Sequence, residues 1–309
     1  GSGFIGRHVI RALAKRDFRI RAAVRRPDLA GHLQPLGRVG QIMPVQANLR
    51  YADSVAAAVR DAEIVVNLVG ILAESGAQTF QAVQAEGAGL VARAAAAEGA
   101  RLIHRSAIGA DETSESVYAQ TKAAGEKAVF SAVPSATVFR PSVVFGPDDR
   151  FTNKFATLAR AMPALPLIGD GETRFQPVFV GDVATAIADA VDGKAKSGAV
   201  YELGGPDVLS LREIQTMILD IIERKRLLVP LPFGLARLKA MVLQFAPEPL
   251  KLTPDQVELL RTDNVVSAAA SEAGLTLQAF GIAPHALRSI APSYLWRFRR
   301  TGEFHTKAT

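Results

Sequence analysis

Six residues, Gly1-Ser2-Gly3-Phe4-Ile5-Gly6, restrict the folds open to this chain more than any other stretch. They run directly into Arg7-His8-Val9-Ile10-Arg11-Ala12-Leu13, where Ile5, Val9, Ile10 and Leu13 fall on one helical face. A glycine turn that opens a helix leaves first-turn N–H groups and a partial positive charge free, and it lets a phosphate approach the backbone closely. Gly3 and Gly6 have the spacing of the last two glycines of Gly-x-x-Gly-x-x-Gly, whose first glycine would precede Gly1. The sequence is therefore expected to begin inside its own motif. Taken alone, the turn also fits an ordinary helix start.

The following 135 or so residues alternate strand and helix. Strands are predicted at Ile20–Val24, at Ile42–Ala47 (broken by Pro44), at Ile64–Val69, at Arg101–Ser106 and at Ala136–Arg140. The run Ile64–Val69 is almost continuously apolar, which predicts burial on both faces. Helices are predicted at Ser54–Arg60, Thr79–Gly99 and Val117–Ala132. Strands joined by helices of this length give a Rossmann-like, doubly wound parallel α/β sheet with right-handed crossovers, and a ligand belongs at the strands' carboxyl ends. The central strand that should precede Gly1 is not in the sequence, so the native chain is expected to start a few residues earlier. Residues 1–150 read as the nucleotide-binding domain and 151–309 as a smaller α+β lobe, with some segments returning to the sheet.

Composition removes several function classes. No cysteine is present, which excludes thiolate and disulfide chemistry, and the five histidines have no metal-ligand spacing. The net charge of +6 is spread through the chain without aromatic–basic interleaving, so neither a metal nor a nucleic acid is expected as a partner. No apolar run reaches the roughly 20 residues of a membrane span.

The site residues follow from position. An acidic side chain at the end of the second strand would bond the ribose hydroxyls of NAD; here stand Arg25 and Arg26, which suit the extra phosphate of NADP. Asn48 and Leu49 after the next strand are expected near the adenine, and Leu68, Val69 and Gly70 near the ribose. Tyr118 and Lys122, four apart on a helix, share a face, and a cation there lowers the pKa of a phenol. Ser106 ends a strand twelve residues earlier, where its hydroxyl could hold a substrate oxygen.

With these residues in place, the chain resembles the short-chain dehydrogenases in their extended or atypical branch, the NAD-dependent epimerase/dehydratase-like proteins. The resemblance rests on Gly1–Gly6, Asn67-Leu68-Val69-Gly70, Tyr118-x-x-x-Lys122, Arg140–Pro147 and Gln176–Ala184. It implies that Tyr118 donates or accepts the proton, Lys122 holds the nicotinamide ribose, Ser106 positions substrate, and Pro141, Val143 and Val144 line the nicotinamide pocket. Ser106–Asp111, Lys122-Ala123-x-Gly125-Glu126, Phe145-Gly146-Pro147-x-Asp149-Arg150-Phe151 and Tyr294-Leu295-Trp296-Arg297 narrow it further. They are similar to the nucleotide-binding accessory subunits of respiratory complex I (NADH:ubiquinone oxidoreductase) and their bacterial homologues. That likeness implies a tightly held NADPH, in preference to NAD, with a structural part and little or no turnover, and complex I subunits as partners. It places the chain peripherally on the cytoplasmic face of a bacterial inner membrane, or on the matrix side in a mitochondrion. The alternative is a free-standing NADP-dependent reductase or sugar-nucleotide epimerase/dehydratase that turns over with Tyr118, Lys122 and Ser106. Arg105 departs from the aliphatic residue usual before that serine.

The second half is expected to build a lid over the nicotinamide pocket. Helices are predicted at Phe151–Met162 and Asp182–Val191, a turn at Pro163–Pro166, a tight loop at Gly169–Gly171 and a strand at Ala199–Leu203. A helix follows from about Ser210, with Glu213 completing a capping box. From Gly234 to Phe245, the residues Leu235, Leu238, Met241, Val242 and Phe245 have helical spacing beside Arg237 and Lys239. Such a helix either covers its own domain's core or lies on a membrane surface or hydrophobic partner. The tail Trp296-Arg297-Phe298-Arg299-Arg300 is basic and aromatic in the same way.

Overall fold

The computed structural model describes residues 1–301. Two units emerge from the fold. The first comprises Gly1–Pro141, Val180–Leu203 and Ser267–Ala283; the second comprises Ser142–Phe179, Gly204–Val266 and the described part of Pro284–Thr309.

In chain order the first unit opens with α1 (Phe4–Ala14), β1 (Ile20–Val24), β2 (Ile42–Gln46), α2 (Ala52–Val59) and β3 (Ile64–Asn67). A π-helical turn, Gln81–Glu86, leads into α3 (Gly87–Ala97), then β4 (Arg101–Arg105), α4 (Val117–Ala132) and β5 (Thr137–Pro141). The second unit supplies β6 (Val144–Phe145), α5 (Thr152–Ala161), β7 (Ala164–Ile168), β8 (Arg174–Phe175) and β9 (Val178–Phe179). The chain returns to the first unit for α6 (Val180–Val191) and β10 (Val200–Leu203). It then re-enters the second for β11 (Leu209–Ser210), α7 (Leu211–Ile221), β12 (Leu227–Leu231) and α8 (Phe233–Leu243).

In the first unit β10, β5, β4 and β3 form one parallel sheet in that order, and β1 pairs with β2, also in parallel. Pro44 does not break β2. It sits opposite Ala22, and a strand with one neighbour can spare the N–H that proline lacks. The expectation that Ile64–Val69 is buried on both faces is corrected: Ile64 and Val66 are only half-buried, and the strand ends at Asn67. The reason is local, since the Asn67 side-chain oxygen accepts the Val69 N–H and turns the chain. Val65, Leu102 and Val138 of the sheet pack with Ala88, Val91, Ala92 and Ala95 of α3 and Val129 of α4. Small side chains on α3 bring it close to the sheet. On the other side α6 lies against α1, where Arg16 pairs with Asp189 at 2.9 Å.

The second unit has its own core around Leu165, Ile214, Ile218, Ile222 and Leu295. Ser210 and Glu213 form the expected capping box on α7. The turn predicted at Pro163–Pro166 is corrected to strand β7, parallel to β12, with Pro166 opposite Val229 and Pro230 opposite Leu167. Each strand has one neighbour, so proline is tolerated in both. The helix predicted from Gly234 forms as α8 but does not bury its apolar stripe. It turns Ala236 and Ala240 inward and leaves Leu238, Met241 and Phe245 at 61%, 55% and 85% exposure. The aromatic–basic tail behaves in the opposite way. Leu295 and Phe298 are buried, Arg224 donates to the Phe298 carbonyl, and Arg299 donates to that of Ile221. The tail thus anchors Phe298 in the core, while Arg297 and Arg300 remain exposed.

Candidate functional site

The glycine turn lies at the carboxyl end of β1, where the Gly1 nitrogen donates to the Ala23 carbonyl at 2.8 Å. Gly3 is the N-cap of α1 in extended conformation, with no side chain capping the helix and no acid in its first turn. The first-turn amides and the helix dipole are therefore left for an anion. A side chain at Gly6 would overlap the Gly1 carbonyl oxygen, so the close turn requires glycine. Ser2 is exposed, Phe4 packs edge-on to His8, and the Ile5 side chain is buried in the core, leaving only its main chain for the turn.

Beyond β1, Arg25 is exposed. Arg26 is bonded by two hydrogen bonds, at 2.9 and 2.6 Å, to the Asp28 carboxylate. Asp28, two residues on, thus forms a surface pair with Arg26, both side chains being well exposed. After β2, the Asn48 side chain accepts the Arg50 N–H and its main chain donates to Ser54. Leu49 packs at the start of α3, 3.0 Å from where a Gly87 side chain would begin.

The ends of β3 and β4 gather the polar residues. Asn67 and His104 are paired in register and bonded at 3.2 Å through Asn67 Nδ2 and His104 Nδ1. Because Asn67 Oδ1 is taken by Val69, the amide faces the ring, Nδ1 accepts, and the ring proton lies on Nε2. Burial pushes the His104 pKa down to about 3, helped by the charges of Lys122 and Arg105. Lys122 is 1% exposed; its ammonium donates to the Arg105 carbonyl at 3.3 Å and lies 6.0 Å from the centre of the Tyr118 ring. The expected shared face of Tyr118 and Lys122 is therefore present, with Phe80 edge-on to the tyrosine at 5.7 Å. Burial, then the neighbouring Arg105, holds the Lys122 pKa well below the usual lysine range, while Glu126 opposes the shift. Glu126 is itself engaged by a bidentate pair from Arg140 at 2.8 and 2.6 Å.

Gly70, exposed at the end of the turn after β3, faces this cluster. A side chain there would begin 2.7 Å from Arg105 Nη2, 3.3 Å from Lys122 Nζ and 3.6 Å from Gln84 Oε1. Gln84 comes from the π-helical turn, which approaches α4 so closely at Gly125 that a side chain on that glycine would strike the Gln84 carbonyl. π-turns recur at functional sites. Four buried polar atoms here have no hydrogen-bond partner: Gln84 Oε1, His104 Nε2, Arg105 Nε and Ser106 Oγ. Unpaired buried polar atoms are costly, and a hydroxyl-bearing ligand would relieve them. Phosphate-accepting amides at one strand end and unpartnered polar atoms at others fit a dinucleotide. Gln84, His104 and Arg105 were not singled out as site residues from the sequence; the only hint was the arginine where an aliphatic residue is usual.

Pro141 ends β5 and accepts the Ile108 N–H at 3.1 Å. Val143 and Val144 follow Ser142, the first residue of the second unit. There Asn264 accepts from the Ser142 hydroxyl at 2.8 Å and from the Val143 N–H at 3.1 Å, fixing the segment. No sequence signal marks Asn264, which lies 121 residues from Val143. The same unit joins two stretches on which the narrower resemblance rests. The Asp149 carboxylate accepts from the N–H groups of Gly146, Phe151 and Thr152 and from the Tyr294 hydroxyl. Arg297 donates to the Pro147 carbonyl at 2.8 Å and to Asn153 at 2.6 Å. Among the described residues no group of three or more His, Cys, Asp or Glu could hold a metal, and no helix is long and apolar enough to cross a membrane.

The RmlD substrate binding domain family matches residues 1–255. The chain is 35% identical over 314 aligned positions, covering 97% of it and 77% of the relative, to the mitochondrial NADH dehydrogenase (ubiquinone) 1 alpha subcomplex subunit 9 of Arabidopsis thaliana. A ceramide reductase of Caulobacter vibrioides is 35% identical over 186 positions, 60% of this chain and 57% of that protein. Among solved structures, the Citrobacter triphenylmethane reductase complexed with NADP(H) superposes with a TM-score of 0.74 at 18% identity, over 95% of this chain and 97% of that one. That likeness shows a shared fold.

Proposed function

Because this chain belongs to the RmlD substrate-binding-domain family and to the family of complex I alpha subcomplex subunit 9, we infer that it is a dinucleotide-holding accessory subunit of NADH:ubiquinone oxidoreductase. The near end-to-end match to the plant mitochondrial subunit carries this reading. In it, the Gly1–Gly6 turn takes the diphosphate, Asn48 and Leu49 flank the adenine, and Leu68, Val69 and Gly70 support the nicotinamide ribose. Lys122 and Tyr118 contact that ribose and the nicotinamide, with Ser106 and Pro141 on the same side of the sheet's strand ends. The bound nicotinamide would supply hydride chemistry if the chain turned over; a retained cofactor instead acts as a structural part. The chain docks peripherally at the membrane, on the cytoplasmic or matrix side, through the exposed apolar face of α8.

NADPH is the favoured cofactor on account of Arg25, since Arg26 is occupied by Asp28. We expect NADPH to bind about tenfold or more tightly than NADH, a charge-assisted contact to the extra phosphate supplying the difference. Arg25→Asp should remove that preference with the fold unchanged. Equal affinities in the unmodified protein, measured by calorimetry, would end the NADP assignment.

A second reading, a free-standing reductase, has two observations in its favour: the Lys122 ammonium lies 6.0 Å from the centre of the Tyr118 ring, and a ceramide reductase is among the relatives. Tyr118→Phe separates the two. For a subunit, the variant keeps its nucleotide and its melting temperature. For a reductase, it loses turnover on a carbonyl substrate, because the phenol is the group placed to move the proton. Robust turnover that disappears in Tyr118→Phe would overturn the structural reading.

A further inference from the structure

We propose that Arg105 is a further dinucleotide-holding residue: with Lys122 beside Gly70, its guanidinium supplies a second cationic donor for the sugar and phosphate oxygens of the nicotinamide half and makes the cofactor slow to leave. The proposal rests on the dinucleotide reading above and names a residue that reading did not use.

Position comes first. Arg105 is the last residue of β4, at the carboxyl end of the strand, immediately before Ser106. An arginine there reaches the ligand side of the sheet. Its Nη2 arrives 2.7 Å from the point where a Gly70 side chain would begin, and Lys122 Nζ lies 3.3 Å from the same point. Gly70 and its neighbour Val69 are exposed, so a ligand oxygen can come in from solvent onto two converging cations.

Charge is the second consideration. Among the described residues Arg105 makes no ion pair, and the nearest carboxylate on α4, Glu126, is held by both arms of Arg140. Two basic groups thus face one small space, and the carboxylate that acts on Lys122, Glu126, is already paired. That arrangement is unfavourable when empty, and it depresses the protonated form of Lys122. A ligand carrying net negative charge restores the balance. Hydrogen bonding points the same way: Arg105 Nε, Ser106 Oγ and Gln84 Oε1 are buried and unpartnered, and Gln84 Oε1 lies 3.6 Å from the same point beside Gly70 that Arg105 Nη2 approaches. A guanidinium serves such oxygens better than an ammonium alone, because its planar fork presents several donors in fixed geometry. An aliphatic residue at 105 would leave Lys122 as the only cation beside Gly70.

The test compares NADPH with 2′,5′-ADP, which keeps the adenosine half and lacks the nicotinamide half. Affinities are measured by calorimetry on the full chain and NADPH retention by exchange against excess nucleotide, for the unmodified protein, Arg105→Val and Arg105→Lys. Loss of a charge-assisted contact should weaken NADPH about tenfold or more in Arg105→Val and speed its release by a similar factor. The affinity for 2′,5′-ADP should not change, and Arg105→Lys should fall between. A generally damaged fold would weaken both ligands together, so their ratio isolates the contact; if Arg105→Val does not fold, Arg105→Lys carries the comparison. Unchanged or tighter NADPH binding in the variants, with both ligands bound by the unmodified protein, overturns the role of Arg105. If the unmodified protein binds neither ligand, the dinucleotide reading falls as well.

Discussion

Replacing Leu238 and Met241 by glutamate is expected to release the chain from complex I while its nucleotide stays bound. On α8, Ala236 and Ala240 face inward, and Leu235, Leu238, Met241 and Val242 are left in solvent with Phe245. A contiguous apolar face of this kind marks an interaction surface. Each such side chain contributes about 1.5–3 kcal/mol when fully buried against a partner. Losing two of them, and placing unpaired carboxylates in their stead, should lower affinity by roughly a hundredfold or more. Because the altered positions are exposed, the isolated variant should keep its stability to within about 0.5 kcal/mol. The measurement is the fraction that sediments with detergent-extracted complex I. Retention of the double variant on the complex would show that α8 is not the docking face.

Asp149→Ala should be the most damaging single substitution in the second unit. The carboxylate is 3% exposed and accepts the N–H groups of Gly146, Phe151 and Thr152 at 3.0, 2.7 and 2.6 Å. It also accepts the Tyr294 hydroxyl at 3.2 Å, and that hydroxyl lies 3.0 Å from Thr152 Oγ1. Burial, followed by the Asp149 charge, drives the Tyr294 pKa upward, so the phenol stays protonated and donates. Alanine would leave three N–H groups without that acceptor at once and the Tyr294 hydroxyl with Thr152 Oγ1 alone. Bonds to a charged group are worth about 1.5–3 kcal/mol each, and part is recovered by water, so a loss on the order of 3 kcal/mol is expected. Asp149→Asn keeps one acceptor oxygen and should lose less. Urea unfolding of the three proteins checks the order; a loss below about 1 kcal/mol for alanine would contradict the role assigned to this carboxylate.

Local signals were legible in the sequence, and long-range ones were not. Helix α4 spans the predicted Val117–Ala132, and the Ser210–Glu213 capping box forms, because periodicity and capping act within a few residues. The glycine turn and the Tyr118–Lys122 face are equally local. What escaped was decided by distant partners. β7 contains proline and reads as a turn, yet parallel pairing with β12, 63 positions on, makes it a strand. The apolar stripe of α8 was visible, but periodicity does not say which face finds a partner, and the alanines won. Asn264 and the Asp149–Tyr294 contact join residues more than 120 positions apart.

The central claim is membership of a large respiratory assembly, and native electrophoresis of mildly solubilised membranes tests it most directly. The chain, followed by antibody, should migrate with NADH:ubiquinone oxidoreductase activity and remain there after a salt wash that screens surface charge, since apolar contacts persist when electrostatic ones are weakened. Migration of the whole population at the position of the free protein, with none in the complex, would contradict the account.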